Sequence, residues 1–137
     1  MGGPAAVLFT WSAVILLGGA VEIVGIRRAG MGFSGTPLAS WVLGVQGNLS
    51  LVALVLSVLL VWVDAAWALP GLWLLLLGHS FYILGGLAFP AFRTAGLIYQ
   101  VGGLVALWPE GLPLVAFAVA SAAGNLWMGI SIWRGER

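Results

Sequence analysis

Apolar residues occur along the chain in long runs, which short polar or turn-forming connectors separate. The runs cover about 4–26, 38–63, 70–89, 91–108 and 112–133. A helix needs about 20 predominantly apolar residues to cross a hydrocarbon core of about 30 Å. The pattern therefore predicts an all-α integral membrane protein, in which a single domain over residues 1–137 forms a bundle of five transmembrane helices.

The fourth run, 91–108, is the shortest of the five. Arg93 and Thr94 interrupt its beginning, so its clean apolar part starts at Ala95. Even at full length it would measure only about 27 Å as a helix. Thr94 is a residue type that caps helix N-termini, and we expect it to cap this helix. Length alone leaves open whether this run crosses the membrane or re-enters it.

The charged residues favour the crossing. No basic residue precedes the first run, and Arg27 and Arg28 follow it directly. With five spans every arginine lies on one side of the membrane, while Asp64 and Glu110 lie on the other. Basic residues concentrate in cytoplasmic loops, so we expect the N-terminus outside and the C-terminus in the cytoplasm. A re-entrant fourth run would instead place Arg93 and Glu110 on the same side.

Composition supports a membrane location and excludes several kinds of chemistry. The chain is 62% hydrophobic and 7% charged, whereas soluble domains carry about 25% charged residues. It contains no cysteine and no lysine, which excludes disulfides, thiolate chemistry and lysine Schiff bases. Without a basic patch, no nucleic-acid partner is expected. Abundant glycine and alanine without lysine are typical of GC-rich prokaryotic genomes, so the prediction is a multi-pass protein of the prokaryotic cytoplasmic (inner) membrane.

Small residues indicate where the helices approach one another, because membrane helices associate through close packing. Gly71, Gly78 and Gly85 recur at heptad spacing on one face of the third span, and the fourth offers Gly96 and Gly103. The fifth span is small almost all round, and we expect it at the bundle centre or against a partner subunit. Tryptophans are expected in two interfacial belts, one with Trp62, Trp67, Trp73 and Trp108 and the other with Trp41 and Trp133.

Polar residues near mid-span are the candidate functional groups, since polar side chains are costly inside a bilayer and often functional. His79 is the one histidine of the chain, and Glu22 is the one carboxylate within a predicted span. The other residues of this set are Gln46, Asn48, Tyr82, Tyr99, Gln100 and Asn125. They fix helix register by hydrogen bonding, or they line a ligand site or pathway. As a neutral imidazole, His79 would also serve as the axial metal ligand if a tetrapyrrole, haem or chlorin, were bound.

Two functions fit these residues. In the first, the protein is a non-catalytic subunit of a membrane assembly and binds a lipid, quinone or tetrapyrrole between helices near His79. The alternative is a small oligomeric transporter or channel whose polar midplane pathway uses Glu22 and His79. The partners expected are the bilayer and either further copies of the chain or other membrane subunits. The sequence has no phosphate-binding glycine loop, HExxH motif or nucleophile elbow, which favours a non-enzymatic role.

Overall fold

The computed structural model describes residues 9, 13, 37–87, 90–108 and 110–135. These residues form four α-helices and contain no strand. The helices are α1 (Pro37–Trp62), α2 (Leu69–Leu87), α3 (Pro90–Ala106) and α4 (Pro113–Trp133), and a single 3-10 turn, Ala66–Ala68, precedes α2. The first predicted span and Glu22 lie outside the described residues, apart from Phe9 and Ala13.

Proline marks the beginning of each helix, because the first turn of a helix does not use the N–H group that proline lacks. Pro37, Pro90 and Pro113 are the first residues of α1, α3 and α4, and Pro70 is the second residue of α2. The predicted boundaries agree with these helices to within two residues. The prediction that Thr94 caps the fourth helix is wrong, because α3 begins at Pro90 and Thr94 lies inside it.

Among the described residues, three helical segments are long and apolar enough to cross a membrane: Gly44–Trp62, Ala66–Gly86 and Pro113–Trp133. This part of the chain is therefore all-helical and has the character of a membrane protein. Helix α3 has 17 residues and a length of about 26 Å, so it is the shortest of the four.

The chain divides into two compact units, residues 1–45 and 46–137. In the first unit the structure describes Phe9, Ala13 and the beginning of α1. The second unit contains the rest of α1 and all of α2, α3 and α4. Within it, consecutive helices run antiparallel, as the residue pairs given below show.

Helices α2 and α3 form the tightest pair, and glycines bring their backbones into contact. Gly71 lies opposite Gly103, and Gly78 lies opposite Gly96. A Cβ atom added at Gly78 would lie 2.7 Å from the carbonyl oxygen of Gly96, and one added at Gly96 would lie 2.6 Å from that of Gly78. The heptad glycines thus form a packing face, as the sequence predicted, and the structure identifies α3 as the helix that contacts it. Close backbone packing of this kind holds helices together in lipid, where the solvent is as apolar as the side chains.

Among the candidate membrane spans of the described residues, Ala66–Gly86, which includes α2 up to Gly86, is the most buried, and this corrects the expectation that α4 lies at the centre. The alternative expectation, that α4 packs against a partner subunit, stays a prediction. Helix α4 contacts α3 along a narrow line that includes Ala120 and Gly124, and its alanines at 118, 122 and 123 are exposed. Small side chains permit close packing on every face, but they do not select which face is used. The larger α2 side chains fill the space between neighbours, and Leu74 is completely buried.

Candidate functional site

Tyr99 and Asn125 form a hydrogen-bonded pair between α3 and α4. The Tyr99 side chain is buried, and its hydroxyl donates to Asn125 Oδ1 at 3.0 Å. The ring lies directly against Gly124, so closely that a Cβ there would overlap it, and it meets the Phe81 ring edge-on at 5.3 Å between centroids. The absence of a side chain at Gly124 therefore creates the space for Tyr99. The structure brings together these two members of the predicted polar set.

Two further hydrogen bonds join α1 to α2. The Ser80 hydroxyl donates to Gln46 Oε1. Nearer the other end of both helices, Trp73 Nε1 donates to Ser57 Oγ at 3.1 Å, while Ser57 Oγ itself donates to the Ala53 carbonyl at 2.7 Å. Both bonds lie in the unit formed by residues 46–137. Each of these polar groups between α1 and α2 thus has a partner on the facing helix.

A small cleft lies between these two bonds. It has a volume of about 20 Å³, which is enough for about one water molecule. Its walls combine apolar and polar side chains, namely Gln46, Leu49, Ser50, Ala53, Trp73, Leu76 and Leu77. The cleft is far smaller than the roughly 300–1,000 Å³ of typical ligand pockets.

His79 lies near the middle of α2 on its exposed side. Successive helix residues differ by about 100° in direction. Gly78 consequently faces α3 and Ser80 faces α1, while the imidazole between them points away from both contacts. Within the described part of the chain, His79 makes no hydrogen bond to another residue. Gly86, two turns further along the same face, is also exposed and has open space at its Cβ position.

Tyr82 contacts Arg93 across the α2–α3 pair. The Arg93 guanidinium carbon lies 4.7 Å from the centroid of the Tyr82 ring, and Nη2 donates to the Tyr82 hydroxyl at 2.8 Å. Arg93 is exposed, and it lies in the first turn of α3, close to the connector that follows α2. The contact combines a cation–π interaction with a hydrogen bond.

The remaining predicted residues lie apart from one another. Gln100 is half-buried at the α2–α3 contact, where its Cγ lies next to Gly78. Asn48 is exposed on α1, and Glu22 lies outside the described residues. The polar residues therefore form separate pairs at three different helix contacts, rather than a single continuous layer in the described part of the chain.

Sequence reasoning did not single out Ser57, Trp73, Ser80 or Arg93 as partners of other polar groups. Trp73 was expected in an interfacial belt, whereas its indole N–H faces Ser57. The available signal was that Ser57 and Ser80 are hydroxyl residues within apolar runs. Such residues seek hydrogen-bond partners on neighbouring helices.

The described residues contain no cluster of three or more histidine, cysteine, aspartate or glutamate side chains that would hold a metal ion. His79 could therefore contribute one axial bond to a metal that a ligand brings with it. No family model matches the chain, and searches of curated proteins and of solved structures find no match either.

Proposed function

We propose that the protein is a non-catalytic subunit of a membrane assembly that binds a lipophilic ligand on the His79 face of α2. The observation that carries this proposal is the exposure of an imidazole near the middle of an apolar helix. A polar group directed at lipid is costly unless another molecule satisfies it. A lipid, a quinone or the metal of a tetrapyrrole would each provide a partner.

The pairing of the other polar side chains favours this proposal over the small transporter. A transport pathway needs polar groups that are free to bind the solute, whereas Tyr99 is bonded to Asn125 and Gln46 to Ser80. The residues that remain for a pathway are His79, Gln100, Asn48 and Glu22. A liposome flux assay separates the two functions, since a transporter would lose flux in a Glu22→Gln variant.

The proposal is tested by an absorption spectrum and a lipid-and-quinone extraction of protein purified from its own membranes in mild detergent. We expect a ligand that co-purifies with the wild-type protein and is lost in His79→Leu. Val101→Ala is the matched control, because Val101 is an exposed residue on the neighbouring helix α3. Equal ligand content in the wild type and in His79→Leu, with both proteins folded, would contradict the proposal.

We further propose that the complete bundle has five transmembrane helices, with the N-terminus outside and the C-terminus cytoplasmic. The antiparallel order of α1–α4 supports this arrangement. It assigns Arg93 and Arg134 to one end of the helices and the connectors with Asp64 and Glu110 to the other. That separation matches the preference of basic residues for the cytoplasmic side.

A further inference from the structure

The Arg93–Tyr82 pair has properties that helix packing alone does not require. An arginine near the end of a membrane helix usually extends its flexible side chain towards water. Here the Arg93 guanidinium instead lies over the Tyr82 ring of the adjacent helix and donates to its hydroxyl. The Arg93 backbone also packs tightly against α2, because a Cβ at Gly85 would overlap the Arg93 backbone nitrogen.

The positive charge of this pair has no acidic partner in the described part of the chain. A guanidinium has five N–H donors, and the contact with Tyr82 uses one of them on a neutral acceptor. The described acidic residues, Asp64 and Glu110, lie in the connectors at the opposite end of the helices. Towards the described residues, four donors and a full charge therefore remain available on an exposed side chain.

A guanidinium with free donors can bind an anion, and the position of the Arg93–Tyr82 pair indicates which kind of anion it would bind. Arg93 is in the first turn of α3, and Tyr82 lies five residues, about 7.5 Å, from the end of α2. In the proposed five-helix bundle, this position lies near one membrane surface, where lipid headgroups are within reach of the guanidinium. A planar guanidinium binds a phosphate through two parallel hydrogen bonds. The Tyr82 hydroxyl accepts from Arg93, so its own proton is free to be donated to a phosphate oxygen.

We infer that Arg93 and Tyr82 form a binding site for one anionic phospholipid. The lipid phosphate lies on the guanidinium, and an acyl chain extends along the open surface beside Gly86, where no atom lies within 4 Å of the Cβ position. The Tyr82 ring covers one side of the guanidinium and fixes its direction. The phosphate contacts are made by Arg93 and Tyr82 and do not involve His79, whereas the acyl chain shares the face of α2 that carries Gly86 and His79. The Arg93 variants therefore test this inference, and the His79→Leu variant tests the proposed function.

The test is native mass spectrometry of the full chain released from nanodiscs that contain phosphatidylglycerol and phosphatidylcholine in equal amounts with identical acyl chains. We expect the wild type to retain phosphatidylglycerol about fivefold more than phosphatidylcholine, which is the effect of about one basic residue at a membrane surface. Arg93→Gln should abolish this preference. Arg134→Gln is the control of equal net charge, because Arg134 is exposed at the same end of the bundle and should leave the preference unchanged.

Two further variants separate the roles of charge and geometry. Tyr82→Phe keeps the ring but removes the hydroxyl, so it should weaken the preference by less than Arg93→Gln does. Arg93→Lys keeps the charge without the paired donors and should retain part of the preference. Partial retention would show that the loss in Arg93→Gln comes from the missing charge and donors and not from a folding defect. Equal retention of the two lipids by the wild type would overturn the inference. So would an equal loss of preference in Arg93→Gln and Arg134→Gln, because the effect would then be one of general charge.

Discussion

At the scale of single residues, Tyr99 shows how this bundle accommodates a polar group. The ring occupies the space above Gly124, and the hydroxyl is bonded to Asn125 across the helix contact. The burial of the ring and the pairing of the hydroxyl therefore come from the same two neighbouring residues of α4. This arrangement fixes the relative register of α3 and α4 as well as satisfying the hydroxyl.

We expect Tyr99→Phe to lower the free energy of unfolding by about 0.6 kcal/mol, the average strength of hydrogen bonds between membrane helices. A double-mutant cycle with Asn125→Ala, measured by reversible unfolding in mixed micelles, isolates this bond because each single change removes the same interaction. Asn48→Ala is the control, since Asn48 is exposed and has no hydrogen bond within the described residues. Additive effects of Tyr99→Phe and Asn125→Ala would show that the pair does not contribute to stability.

At the scale of helices, the α2–α3 contact depends on glycines that have no room for a side chain. A Cβ at Gly78 would lie 2.7 Å from the carbonyl oxygen of Gly96 and 2.8 Å from the backbone nitrogen of Gln100. Backbone atoms cannot turn aside as a flexible side chain can. The backbones of the two helices would have to move apart at this point to admit even one methyl group.

We therefore expect Gly78→Ala to destabilise the protein by about 1–3 kcal/mol, the usual effect of overpacking. Gly86→Ala, on the same helix, should be neutral or stabilising by up to about 1 kcal/mol, because its Cβ position is open and alanine favours the helix. Unfolding in mixed micelles measures both variants. Equal stability of the two would mean that the close approach of α2 and α3 does not hold the bundle together.

The elements also show what the sequence could and could not predict. Apolar length and proline positions predicted the helix ends, and the heptad glycines predicted which face of α2 packs against a neighbour, because both depend on residues of one segment. They did not predict that the neighbour is α3, since that depends on two segments. The direction of His79 was not predictable in this way. It depends on which faces of α2 the other helices cover, and Gly78 and Ser80 on either side of it proved to be the contacting residues. Thr94 is of a residue type that caps helices, but the first turn of a helix tolerates proline, so α3 begins four residues earlier at Pro90.

At the scale of the whole molecule, charge and helix order together determine the expected orientation. Antiparallel packing assigns Arg93 and Arg134 to one end of the described helices, and Asp64 and Glu110 to the other. Arg27 and Arg28 precede the end of α1 that lies opposite Asp64, so we expect them on the basic side whether or not the run 4–26 crosses the membrane. The basic residues would then all face the cytoplasm, which is the distribution that membrane insertion favours.

Reporter fusions that are active on only one side of the membrane test this arrangement. We expect reporters inserted after Asp64 and Glu110 to be active outside, and a reporter at the C-terminus to be active in the cytoplasm. A reporter at the N-terminus decides the number of spans, because five crossings place the two termini on opposite sides and four place them on the same side. Reversed activity of the Glu110 and C-terminal reporters would contradict the orientation, whereas termini on the same side would contradict only the crossing of the run 4–26. Arg27 and Arg28 are expected on the cytoplasmic side in that case too, because they precede the end of α1 that lies opposite Asp64, so the N-terminal reporter and not the arginine pattern decides the number of spans.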